Sequence, residues 1–583
     1  MSLVDKLRLL EAVVRTPRYF LAGYTGGKLI YLSTVEGATD IWALDLSTKH
    51  RRRLTEGGIA AIAKPSEKTP LAIYTRDVTK GEEQHQVFAV HVDKEEKKLL
   101  FDAPPMRIFG IAFNGERVAF TGATRAEMGL YLGDISGSYE KLVKLESLAI
   151  VTDVNEEYIV GYGTFAKNPK SMELFIYSLE ENRLKVYTPK EGSINKSPRL
   201  NKSKILFETN AFGGNKLAVY DIESDELTRP EFTYSDYAEY SPTENSVFDW
   251  TKDGKIWVIG DKNGRTRVFI DGQKVPLPEG TTTNITIVGD KVYASHSSLT
   301  KPYQIYEVDL KTNKVKVLIE NDLPPEVEKK LGEVLFINYK SFDGLEIPAY
   351  VVKSKAAPEP GPTIIYVHGG PWSQVADLWN TMIASLVVCG YHVVAPNFRG
   401  STGYGEDFRI LDIGDPGGGD LQDVIYARKW ALENKLASKV AIMGYSYGGY
   451  MTFLATAKHP ELWTCGVAGA GITDWEELYE LSDALFKQFI NILFAGHRDL
   501  WKDRSPATYV DQAKTPICII HPQNDTRTPL KPVLKYVQRL LENKVTFEVH
   551  VVPDIGHAIN KLEDMLKILL PAILFLEKYL KKE

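Results

Sequence analysis

A chain of 583 residues with 44% hydrophobic and 25% charged residues has the make-up of a folded globular protein, and it is too long for a single hydrophobic core. A net charge of −6 over that length leaves none of the basic footprint that a nucleic-acid partner requires. The three cysteines, Cys389, Cys465 and Cys518, sit in apolar surroundings without a C-x-x-C pair, and H-E-x-x-H is absent, so no disulfide framework, metal or cofactor is expected.

At the start of the chain Leu3, Leu7, Leu10 and Val14 recur at helical spacing. Asp5, Lys6, Arg8 and Glu11 interrupt them, so the segment lacks the apolar stretch of a signal peptide. Residues 1–23 are therefore read as an N-terminal amphipathic helix packing on the C-terminal domain. No run approaches the roughly 18 apolar residues that cross a bilayer. A reducing, cytoplasmic setting without membrane contact is expected.

Residues 24–323 read as short alternating strands separated by turns of Asp, Gly, Asn or Ser. One unit recurs: a strand, a polar turn and a second strand. It appears around Asp45, Asp93, Asp134, Ser178, Asp221, Asp271 and Asp309, at steps of 38 to 50 residues with a mean of 44. Seven units at this period predict a seven-bladed all-β propeller rather than a pair of sandwiches.

Residues 324–583 change character. LPPEVEKKLG enters a short helix, and then buried strands alternate with helical stretches. The strands are read at Thr363 to His368, Tyr391 to Asn397, Lys439 to Gly444, Ile517 to Pro522 and Phe547 to Pro553. Helices are read at Leu421 to Glu433 and Lys531 to Asn543, with a packed terminal helix around Ile568 to Leu576. This alternation predicts a mostly parallel, doubly wound α/β sheet with helices on both faces.

The strand KVAIMG runs into GYSYGGYM, a G-x-S-x-G with Ser446 at its centre. Small residues flank the serine because the backbone must turn sharply from strand to helix, which lifts the hydroxyl clear of the sheet. A serine hydroxyl needs a base to take its proton. His557 in PDIGHAIN and Asp525 in HPQNDTRTP follow in the order Ser, Asp, His, each just past the end of a strand. Asp554 is the rival acid, while His459, His521 and His550 fit the base position less well. YVHGGPW supplies glycines where hydrolases keep their oxyanion loop, so the backbone N–H groups of Gly370 and Tyr447 are read as the oxyanion donors.

HGGPW, NFRGSTGYG, GYSYGGYM, HPQNDTRTP and DIGHA stand in the order seen in the prolyl oligopeptidase family of serine peptidases. Across its whole length the chain resembles the acylaminoacyl-peptidase (acylpeptide hydrolase) branch, in its archaeal type. The resemblance implies removal of an N-acylated amino acid from short peptides through an acyl-enzyme, with ester hydrolysis alongside. It implies the triad Ser446, Asp525 and His557, the donors Gly370 and Tyr447, and a role for Arg527 in holding a substrate carbonyl. Glu83, in RDVTKGEEQH, reads best as a solvated turn residue, with a place facing the cleft as the other reading. Phe486, Phe489, Ile490 and Leu493 form an i, i+3, i+4, i+7 stripe that either lines a pocket for a bulky apolar residue or packs into the core. A propeller over the catalytic face would admit short peptides and exclude folded proteins. Dipeptidyl or prolyl specificity, a carboxylesterase and an interaction platform are the rival readings. A homo-oligomer stays open.

Overall fold

The computed structural model describes residues 1–581 apart from 95, 233–236, 238, 241, 242 and 245. It begins with helix α1 (Leu3–Val14), capped by Ser2, whose side chain accepts from the Asp5 N–H while the Asp5 carboxylate takes the Ser2 N–H. This is a reciprocal box that satisfies two donors at the helix start. Leu9, Leu10, Val13 and Val14 are buried among hydrolase residues. Lys6, only 1% exposed, ends on Glu577 at 2.5 Å.

Seven four-stranded antiparallel sheets follow, at 19–53, 59–99, 107–145, 149–187, 195–228, 247–274 and 281–319. They are the blades of a seven-bladed propeller. The first blade begins at Tyr19, inside the stretch that the sequence reading gave to the N-terminal segment. The recurring Asp has a local cause. It ends the third strand of a blade, or lies just past that end, and in Asp45, Asp134, Asp221 and Asp309 its carboxylate takes backbone N–H groups of the turn into the fourth strand. Asp45 accepts from Ser47 and Thr48 at 2.9 Å, and Asp309 accepts from Lys311 and Thr312 at 3.0 and 2.9 Å.

Each blade comes from one continuous stretch of chain, so no strand from one end of the domain completes a blade from the other. Across the joint between the last and first blades, the Asn284 amide donates to the Leu21 carbonyl at 2.9 Å. The innermost strands surround a channel of about 900 Å³, into which Lys64, Asp153, Arg199 and Asp249 project.

The second domain is an eight-stranded sheet. Its strands are β1 (Leu331–Lys340), β2 (Glu346–Ser354), β3 (Gly361–Val367), β4 (His392–Pro396), β5 (Ala437–Tyr445), β6 (Gly466–Gly469), β7 (Ile517–Pro522) and β8 (Phe547–Val552). They lie in the order β1-β2-β4-β3-β5-β6-β7-β8, antiparallel up to β4 and parallel beyond it. The principal helices are α2 (Thr381–Val388), α3 (Gly419–Glu433), α4 (Tyr447–Lys458), α5 (Ala484–Leu493), α6 (Leu530–Glu542) and α7 (Leu562–Leu580). They divide between two apolar layers. One, on the α2 and α7 face, holds Leu386, Ile520 and Ile573; the other, on the α3 and α4 face, holds Val424, Ile442 and Leu454. Together these make the α/β-hydrolase fold. Strand β6 escapes a reading by periodicity because it is four residues long and half glycine. No helix among the described residues is long and apolar enough to cross a membrane.

Candidate active site

Ser446 sits between β5 and α4 with φ +61° and ψ −122°. A side-chain-bearing residue pays strain for that conformation and keeps it only where its surroundings enforce it. The enforcement is steric. A Cβ on Gly444 would overlap the Gly448 backbone, one on Gly448 would meet the Val367 carbonyl, and one on Gly449 would meet the Gly469 carbonyl. The elbow is thus packed backbone to backbone against β3 and β6, and the Ser446 N–H is tied to Gly469 O at 2.9 Å.

His557 brings Nε2 to 2.9 Å from Ser446 Oγ and Nδ1 to 2.7 Å from Asp525 Oδ2. The His557 and Asp525 side chains are 7% and 0% exposed. Burial raises the Asp525 carboxyl, but the facing His557 and the N–H of Thr528 outweigh it and hold the group below the usual carboxylate range. The backbone N–H groups of Arg527 and Thr528 reach Asp525 Oδ1 at 2.9 and 2.8 Å, and the Thr528 hydroxyl donates to Oδ2 at 2.9 Å. A carboxylate so held is fixed in orientation, with Oδ2 shared between the Thr528 hydroxyl and the imidazole. Asp554, the other acid nearby, is exposed and paired with Lys80 at 2.8 Å. His521 is buried against the Thr528 carbonyl, and His459 and His550 lie elsewhere in the domain.

The loop after β3 faces the serine. A Cβ on Gly369 would stand 3.2 Å from Ser446 Cβ, which sets Gly369 beside the serine, with Gly370 next in the chain. Tyr447 opens α4, so its N–H is among the first of a helix, the end where donors and the positive end of the dipole concentrate. Its phenol donates to buried Asp420 on the far side. His368, overlooked in the sequence reading, supports the glycine loop from below. Its Nδ1 is 2.8 Å from Gly369 O, its Nε2 is 2.8 Å from Ser401 Oγ, and its ring stacks on Phe398. Burial brings this imidazole down to about 4, so it stays neutral.

The propeller supplies a side of the site. Glu83 is 5% exposed, not a solvated turn residue. It receives Arg527 through Nε at 2.8 Å and Nη2 at 2.5 Å, and it also receives Arg107 from the third blade. Arg107 continues to Asp483 at 2.6 Å and to the Thr526 hydroxyl at 2.8 Å. Two carboxylates and two guanidiniums make a neutral quartet across the domain boundary, with Glu83 and Arg107 buried and Arg527 40% exposed, an arrangement under which burying charge is tolerable. Despite burial, Arg527 and Arg107 hold the Glu83 carboxyl at about 2. Arg107 and Asp483 were unreadable as site residues because their partners are hundreds of positions away. Next to the quartet lies a cavity of about 420 Å³ bordered by His85, Phe109, Phe486 and Ala558.

The stripe on α5 divides. Ile490 and Leu493 are fully buried in the hydrolase core and do not face the site. Phe486 and Phe489 are half-buried. Phe486 carries the Arg107 guanidinium at 5.0 Å, and Phe489 meets Trp372 of HGGPW edge-on at 5.4 Å. The stripe reflects one amphipathic face that is wider than the core beneath it.

The propeller corresponds to a family described as the N-terminal domain of acylamino-acid-releasing-enzyme-like proteins, over residues 30–306, and the second domain to the prolyl oligopeptidase family, over residues 379–583. Residues 379–583 thus belong to the prolyl oligopeptidase family. Among curated relatives, the human acylamino-acid-releasing enzyme is 28% identical over 41% of this chain and 34% of its own length. A dipeptidyl aminopeptidase BIII from Pseudoxanthomonas mexicana is 28% identical over 49% of this chain and 44% of its own. The chain thus spans between about a third and a half of those relatives. Two solved structures share the fold along nearly the whole chain. A puromycin-hydrolyzing peptidase of Mycobacterium tuberculosis has a TM-score of 0.83 at 16% identity, covering 99% of this chain and 96% of that one. The Pyrococcus horikoshii acylaminoacyl peptidase has a TM-score of 0.72 at 19% identity, covering 98% of each.

Proposed function

We propose that this family member is an acylaminoacyl-peptidase, releasing an N-acylated amino acid from the front of short peptides. The observation that carries the reading is the state of Glu83. A peptidase that grips a free amino terminus needs carboxylates to receive an ammonium. Here both Glu83 oxygens are taken by guanidiniums, and the adjacent Glu82 is exposed. What is left to face a substrate's amino end is therefore the outer edge of Arg527, 40% exposed, a donor suited to the carbonyl of an acyl group.

In this reading Ser446 Oγ attacks the carbonyl of the acylated residue while His557 Nε2 takes its proton. Asp525 holds the other ring nitrogen and stabilises the imidazolium. The N–H groups of Tyr447 and Gly370 receive the oxyanion. His557 then protonates the leaving amine, and water releases the acylated amino acid from the ester. Esters enter the same sequence with an easier leaving group. Phe486, Phe489 and Trp372 would favour a bulky apolar residue before the scissile bond. Equal turnover of acetylated Phe, Ala, Lys and Glu substrates would refute that preference. The propeller would act as a size filter, which comparable cleavage of a folded protein would contradict.

The deciding experiment gives the enzyme one short peptide in three forms: N-acetylated, free at its amino terminus, and carrying an internal proline. Products are identified by mass, with Ser446→Ala as the blank. Release of the acetyl-amino acid alone is expected. A dipeptide from the free form, or cleavage after proline, moves the enzyme to another branch of the family, and cleavage of small esters only makes it a carboxylesterase.

A further inference from the structure

The far side of the catalytic sheet carries a second group of chemically able side chains. Strands β7 and β8 pair in parallel at the sheet edge, with Cys518 opposite Glu548 and Ile520 opposite His550. Side chains alternate along a strand, so Glu548 and His550, two apart, share a face, and Cys518 shares it from the neighbouring strand. That face lies under α7, whose Lys578 reaches Glu548 at 3.2 Å. A thiol, a carboxylate and an imidazole thus converge with their donor atoms within 4.8 Å of one another.

The imidazole supplies an independent sign. His550 Nε2 is shut off from solvent and has no hydrogen-bond partner among the described residues; the Glu548 oxygen facing it stands at 3.7 Å, beyond hydrogen-bonding reach. Leaving such a nitrogen unsatisfied costs on the order of 1–3 kcal/mol, which a ligand accepting its lone pair would remove.

We propose that Cys518, Glu548 and His550 bind a borderline-soft divalent cation, with Zn²⁺ as the best fit. Sulfur, imidazole nitrogen and carboxylate oxygen together are the donor set zinc selects, at about 2.0–2.3 Å each. Closing to those lengths asks only a small rotation of Glu548 and His550, whose side chains are 35% and 40% exposed at the edge strand, while buried Cys518 is the fixed point. Binding releases the thiol proton to solvent as the metal–sulfur bond forms. Lys578 competes for Glu548. The fourth position falls to water at the open edge. The ion would clip together two strands whose C-terminal ends carry Asp525 and His557, so its role is structural.

The test uses the full chain, stripped with a chelator and titrated with Co²⁺ as a spectroscopic probe, then displaced by Zn²⁺. One ion per chain is expected, with a thiolate-to-cobalt charge-transfer band. Cys518→Ser should abolish the band. His550→Gln, at a half-exposed position that tolerates change, should weaken binding at least tenfold while peptidase activity persists. Lys578→Ala should tighten it. No charge-transfer band in the wild-type chain, or a band that survives Cys518→Ser, would overturn the assignment, as would Zn²⁺ affinity unchanged in His550→Gln.

Discussion

One close approach between the domains is backbone against backbone. Gly81, in the second blade, has φ +97°, and a Cβ there would overlap Gly556 N while lying 2.7 Å from Gly556 Cα and 2.8 Å from Ile555 C. Gly81→Ala therefore makes two separate demands. The residue itself takes on about 1–3 kcal/mol of backbone strain. The added carbon, far inside van der Waals contact, must also drive the 555–557 loop away by about an ångström. His557 is the next residue in that loop, and a displacement of about 1 Å at a reacting group costs on the order of 10²-fold in rate. The expected result is kcat lowered about a hundredfold on an acetyl-amino acid anilide with KM little changed, which in barrier terms is about 2.7 kcal/mol. Labelling of Ser446 by a fluorophosphonate should slow in parallel, since it depends on the same base. Wild-type kcat in a variant whose melting temperature has fallen would refute the reasoning, because the strain would then have been absorbed by the propeller and the His557 loop left untouched.

Three further outcomes follow from the same geometry. Asp525→Asn keeps the packing but presents the wrong hydrogen-bonding partner to His557 Nδ1, and kcat should fall about 10⁴-fold, as read from burst and steady-state kinetics. Arg107→Met leaves Asp483 without its counter-ion and removes one of the two held by Glu83; domain docking should weaken by about 3–5 kcal/mol, visible as early proteolytic nicking between the domains and a lowered melting temperature. Glu83, held at about 2 against an ordinary 4.5, contributes stability that is full above pH 4.5 and fades as pH falls toward 2. The melting-temperature gap between wild type and Glu83→Gln should therefore be constant at neutral pH and close on acidification; a gap that widens in acid would contradict the assignment.

Much of the molecule is legible in the sequence because its signals are local. The blade repeat is visible because the Asp of most blades closes a turn within three residues of itself, as at Asp45 and Asp309. The strand–serine–helix elbow is visible because its glycines are demanded by neighbours in the same short segment and by adjacent strands. The order Ser446, Asp525, His557 follows from strand order, since each residue lies just past the end of β5, β7 or β8.

What the sequence leaves open is set by residues that meet across the fold. Glu83 resembles any charged turn residue until the propeller docks on the hydrolase and two arginines neutralise it. Ile490 and Leu493 share helical spacing with Phe486 and Phe489, and only the position of the core separates the fully buried from the half-buried members. The same holds for Cys518, Glu548 and His550, which show no metal-binding spacing and become neighbours only through the register of two parallel strands. Periodicity and turn chemistry are properties of a few consecutive residues and survive in one dimension. Charge neutralisation, burial and donor convergence depend on distances between segments, and those exist only once the chain has packed.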